Sequence, residues 1–148
     1  MENYEEIYNN GLSEFLTKME EIKKQMVEEG EKIFRKSMKT YFDRNPEVEG
    51  ICWTQYTPYF NDGEACVFYV NEVYPVTKDA LQKLEIDNVF GINCPYDVES
   101  DEWDSPAGKE LGHIFRNIPG DVFETMFGDH AIIVMDRNKI QVEEYSHE

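Results

Sequence analysis

From Leu12 to Phe42 the apolar residues, among them Phe15, Leu16, Met19, Ile22, Met26, Ile33, Phe34, Met38 and Tyr41, recur mostly at three- and four-residue steps with charged residues between them. Steps of that size keep side chains on one side of a helix, so the pattern predicts a long amphipathic α-helix. Leu12, Met19, Met26 and Ile33 also repeat every seven residues. That spacing allows a coiled-coil seam with another chain, although Glu29 and Gly30 interrupt the intervening position. Packing of the apolar face on the protein's own sheet is the simpler expectation. Gly30 costs about 1 kcal/mol relative to alanine in a helix interior and predicts a kink or break. Asn45-Pro46 predicts the helix end, because a residue before proline avoids the α region.

Beyond Pro46 the period shortens to two. Ile51, Trp53, Gln55 and Thr57 alternate with Cys52, Thr54 and Tyr56, and Cys66, Phe68 and Val70 alternate with Val67 and Tyr69. This predicts a β-hairpin turning at Asp62-Gly63, with Pro58 ending or bulging the first strand. Thr77 predicts the N-cap of a short helix through Leu84. Residues 85–104 have no clear period and end in DVESDEWD, read as a solvated acidic loop. Ser105-Pro106 predicts another helix start, with Leu111, Ile114 and Phe115 on its apolar face, broken at Ile118-Pro119-Gly120. A further helix opens at Gly120 or Asp121 and closes at Gly128. HAIIVMD and KIQVEEY predict a second hairpin around Asp136-Arg137-Asn138. The expected fold is α+β: a long N-terminal amphipathic helix packed with an antiparallel sheet built from two β-hairpins and short helices. Residues 1–45 form the helical segment and 46–148 the α+β body of the same single domain.

A length of 148 residues suits one domain that folds without disulfides or metal. Cys52, Cys66 and Cys94 are an odd number with no C-x-x-C pair, which disfavours a disulfide framework and a zinc knuckle. The chain reads as reduced and cytoplasmic, since no secretory leader or bilayer-length apolar run is visible. Charge changes the picture further. The formal net charge is −17, made up of −5 over residues 1–33, +3 over 34–45, −11 over 46–108 and −4 over 109–148. Such a field repels nucleic acid and anionic membrane and speeds encounter with basic protein surfaces, or simply keeps the chain soluble.

Candidate chemistry is sparse. His113, His130 and the cysteines sit in no metal-ligand spacing, and no metal or cofactor is expected. Cys52 and Cys66 read as small core hydrophobes in acidic surroundings that would raise a thiol pKa, which argues against a cysteine nucleophile. Asp62 with Glu64, and Asp129 beside His130, read as turn and cap residues. GxGxxG, Walker-A, GxSxG and HExxH patterns are absent. No catalytic residue is therefore assigned, and the chain is read as a non-enzyme. The aromatics Tyr56, Tyr59, Phe60, Tyr69 and Tyr74 fall on both strand faces and in the turn, so some face outward, where tyrosines favour protein recognition.

The blocks WTQYTPYFNDGEACVFYV and FGDHAIIVMDRNKIQVEEYSHE resemble a group of small proteins encoded by tailed bacteriophages, over roughly residues 32–148. The group carries no established activity. The resemblance implies a setting, accessory phage proteins acting on host machinery in the host cytoplasm, and no catalytic residues.

Together these readings predict a protein that binds and inhibits a host protein with a basic surface, a defence or nucleic-acid-binding factor, by occlusion. Glu99, Asp101, Glu102 and Asp104 would meet its cations while Trp103, Tyr56 or Tyr59 anchors it. DNA mimicry is the stricter form of this reading. One alternative is a small-molecule binder that sequesters a nucleotide, with Tyr56 and Tyr59 for the base and Lys109 and Arg116 for phosphate. Another is a structural homo-oligomer assembled through the N-terminal helix.

Overall fold

The computed structural model describes residues 4–59, 63, 66–92 and 104–145. The predicted long helix is α1, Tyr4–Arg44, whose 41 residues span about 60 Å. It runs through Gly30 without the expected break. A Cβ at Gly30 would lie 2.6 Å from Val122 Cγ2, so this glycine admits a neighbouring helix rather than ending its own. The helix stops at Asn45, whose Nδ2 donates to Tyr41 O at 2.9 Å. Arg137, in the distant hairpin turn, donates to the carbonyls of Phe42 (3.0 Å), Asn45 (3.2 Å) and Val48 (2.7 Å). A cation on terminal helix carbonyls is favoured by the helix dipole, and here it also clamps the link into the sheet.

The sheet is antiparallel and five-stranded: β1 Val48–Tyr56, β2 Tyr69–Val70, β3 Tyr74–Thr77, β4 Ala131–Met135 and β5 Ile140–Glu144. β1 and β4 are central, with Trp53 opposite Ile133. β5 pairs with β4, with Ile133 opposite Val142. On the other side of β1, β2 and β3 follow one another along a single edge, with Gln55 opposite Val70 and Ile51 opposite Pro75.

The first predicted hairpin is corrected here. Only Tyr69 and Val70 pair on its returning side, so Cys66–Phe68 lie outside any strand and Cys66 is exposed rather than a core residue. The described pairing ends at Tyr56 opposite Tyr69, and of the predicted turn Asp62 lies outside the described residues while Gly63 takes a positive φ of 82°. β3, not predicted from sequence, supplies the rest of that edge and contains Pro75. A proline is tolerated on an outer strand, where one ladder donor is dispensable.

The helices follow expectation closely. α2, Lys78–Lys83, is capped by Thr77, whose side chain accepts from Ala80 N. A 3-10 turn covers Val89–Gly91. α3, Pro106–Arg116, is capped by Ser105, which accepts from Gly108 N. α4, Gly120–Phe127, ends at Gly128, with φ 89°.

One face of the sheet carries Ile51, Trp53 and Ile133 against Phe34, Met38 and Tyr41 of α1, Leu111 and Phe115 of α3, and Phe123 of α4. The other carries Cys52, Val76 and Val134 against Ala80, Leu81, Val89 and Ile92. Coverage on both faces explains why β4 reads AIIVM, without polar alternation, and is buried at every position.

Candidate interaction surfaces

The C-terminal part of α1 packs through Gly30, Phe34, Met38 and Tyr41, while its earlier apolar residues do not follow that line. Tyr8, Leu12, Phe15, Met19, Ile22 and Met26 succeed one another at steps of four, three, four, three and four residues, and each is at least 40% exposed. Successive residues lie about 100° apart around a helix. Ile33, which continues the exposed line, is 57% exposed, whereas its neighbour Phe34 is 0% exposed. The helix therefore bears two apolar stripes, one buried in the body and one facing solvent. The expectation that the whole face packs on the sheet is corrected: that holds from Gly30 onward. The ion pair of Lys23 with Asp121 (4.0 Å) marks the reach of α4 along the helix.

A second surface lies where β1 and β5 end and β4 begins. Tyr56 sits 5.6 Å from Tyr69 and 6.0 Å from Tyr145 between ring centroids, and Tyr59 stacks on His130 at 5.1 Å. Asp129 holds this end together. Its Oδ1 accepts from the backbone N–H of Thr57 (2.7 Å) and His130 (2.8 Å), and its Oδ2 accepts from the Thr57 hydroxyl (2.7 Å). Desolvation pulls the Asp129 pKa upward, but these three hydrogen bonds and the His130 charge outweigh it and hold the carboxyl below its ordinary value. The sequence reading of Asp129 as a cap residue thus acquires a partner, Thr57, 72 positions away. Glu143 and Glu144 on exposed positions of β5 make the same end acidic.

Of the proposed acidic anchor, Glu99, Asp101, Glu102 and Trp103 lie outside the described residues. Asp104 is exposed and pairs with Lys109 Nζ at 3.7 Å. Lys109 and Arg116, assigned to phosphate from sequence, do line one cavity of about 390 Å³ between α3 and residues 70–73. Neither Tyr56 nor Tyr59 is among its lining residues. A larger groove of about 580 Å³ runs between α1 and the β4–β5 hairpin past Arg35, Lys39 and Arg137. Its cations are largely engaged: Arg35 holds Glu31 at 3.0 Å, and Arg137 serves the three carbonyls described above.

Tyr41 is buried with its hydroxyl donating to Ala107 O at 3.0 Å. Desolvation and the nearby Glu110 and Glu47 charges push its pKa far above the ordinary tyrosine value, so it stays a neutral donor and a structural group. Among the described residues no three His, Cys, Asp or Glu side chains converge as a metal site. No described helix is long and apolar enough to cross a membrane. No known protein family, curated protein or solved structure matches the chain.

Proposed function

We propose that this chain is a self-assembling protein whose N-terminal helix pairs with the same helix of a second copy, presenting acidic α+β bodies. The exposed four-three stripe from Tyr8 to Met26 carries this reading. Alternating steps of four and three residues give a mean period of 3.5, which keeps a seam facing one neighbouring helix as the two supercoil. The stripe needs a helical partner of about 28 Å with the same repeat. Elsewhere in the described chain the helices span 6 to 11 residues. A second copy meets the requirement, and it places Leu12, Met19 and Met26 against apolar side chains instead of water. Sedimentation equilibrium on the full chain tests the reading. Wild type is expected above monomer mass at concentrations on the order of 100 μM, and Met19→Glu is expected at monomer mass. A wild type that stays monomeric there removes the proposal.

The tyrosine end favours a second role, recognition of a basic protein partner, which the resemblance to phage proteins would set in a host cell. Tyr59 is 66% exposed beside a carboxylate-rich strand end, the combination of rigid aromatic area and charge used by protein interfaces. Such binding weakens with salt. Capture that survives high salt, or Tyr59→Ala plus Glu144→Lys without effect on capture, would count against it.

A further inference from the structure

The cavity beside α3 is built around a glycine that the protein's own packing does not require. Gly112 lies inside the eleven-residue helix, where alanine would be the better helix former, and a Cβ placed there meets nothing within 4 Å. The empty volume continues past Gly108, one turn earlier, toward Val70 and Val73 on the facing segment. Gly108 and Gly112, one turn apart, both line this cavity of about 390 Å³, within the range of small-molecule sites, and at Gly112 its floor is bare backbone.

The walls are fixed. Asn71 is pinned to Thr54 by Asn71 N to Thr54 O at 2.9 Å and Asn71 Nδ2 to Thr54 Oγ1 at 2.8 Å. Phe115 is locked edge-on against Trp53, with ring centroids 4.9 Å apart, and stacks on Phe123 at 5.0 Å. The rim is cationic in a chain of net charge −17. Arg116 forms no ion pair or hydrogen bond among the described residues. Among the described residues Lys109 is held only by its solvent-exposed pair with Asp104, an interaction weak enough to exchange for a ligand. Glu72, also on the rim, bars a second negative charge from its side and directs an anion toward Arg116.

We propose that this cavity binds a compact amphipathic anion, a phosphate monoester or carboxylate held by Arg116 and Lys109, whose planar or apolar part lies on the glycine floor between Val73 and Phe115. The test is calorimetric titration of the full chain with phenyl phosphate, adenosine monophosphate, phenylacetate and inorganic phosphate. At least one organic anion is expected to bind saturably, tenfold or more tighter than inorganic phosphate. Preference for the first two identifies a phosphate ester, and preference for phenylacetate a carboxylate. Gly112→Leu, which fills the floor, and Arg116→Gln are each expected to weaken that binding at least tenfold. Should Gly112→Leu fail to fold, the surface variant Arg116→Gln decides alone. No saturable binding to about 10 mM, parity with inorganic phosphate, or binding unchanged by Arg116→Gln overturns the proposal.

Discussion

Gly30 of α1 lies directly under Val122 of α4: a Cβ on the glycine would sit 2.6 Å from one valine methyl and 3.3 Å from the other. Valine has a stiff χ1 and cannot swing both methyls away. Gly30→Ala therefore gains about 1 kcal/mol of helix propensity and loses about 1–3 kcal/mol to overpacking, so the melting temperature is expected to fall. Gly112→Ala makes the opposite case. With nothing within 4 Å of the added carbon, it is expected to stabilise by up to about 1 kcal/mol. Denaturant melts of the two variants, identical in chemistry and opposite in sign, check both statements.

Gln55 is fully buried on the helix-covered face and uses both ends of its amide. Its Oε1 accepts from Trp53 Nε1 at 3.0 Å, and its Nε2 donates to Phe123 O at 2.9 Å and Gly128 O at 2.8 Å. Gln55→Leu matches its size but strands an indole N–H and two carbonyls at the end of α4. A loss of about 3 kcal/mol is expected, because unmade buried hydrogen bonds cost their full desolvation. Urea unfolding measures it, and a loss below about 1 kcal/mol would show that water replaces the amide.

Self-association through α1 is expected to strengthen with salt. The seam is apolar and the chains it joins each carry −17, so screening lowers repulsion and leaves the hydrophobic term intact. Helix content should rise with concentration as well, because the stretch before Lys23 lacks packing on the body and short helices are marginal alone. Sedimentation and circular dichroism across chain and salt concentration test this. Weakening by salt would instead point to charge-driven contact.

Asp129 sets an acid limit on the tyrosine end. Its folded-state pKa lies below the ordinary aspartate value, so the unfolded chain takes up this proton first. The resulting stability is complete above about pH 5 and is lost as pH falls through about 3.9 toward the folded value. Asp129→Asn is expected to be less stable than wild type at pH 7, with the gap narrowing as pH falls below about 4. A gap independent of pH would place the effect in the hydrogen bonds alone.

Local signals carried much of the architecture. Thr77 and Ser105 start helices where their hydroxyls reach an N–H three residues on, and Gly128 ends one with a positive φ. These are interactions within a few positions of the chain, and residue type alone specifies them. The alternation of β1 likewise fixed which residues share a face. The break expected at Gly30 did not occur because the glycine penalty assumes an isolated helix: a facing Val122 turns a helix weakness into a contact.

What the sequence determined is the long helix, the three short α-helices, β1 and the C-terminal hairpin, with their periods and the −17 charge, all properties of single segments or of composition. Which apolar stripe of α1 is buried was beyond it, because Ile33 and Phe34 are equally apolar neighbours, and only docking against the sheet and α4 chooses between them. The joining of Asp129 to Thr57, of Arg137 to the end of α1, and of residues 70–73 to Gly112 and Arg116 across one cavity was decided in three dimensions as well. Each brings together groups whose separation along the chain carries no periodic signal, and each exists only once the helices have closed over the sheet.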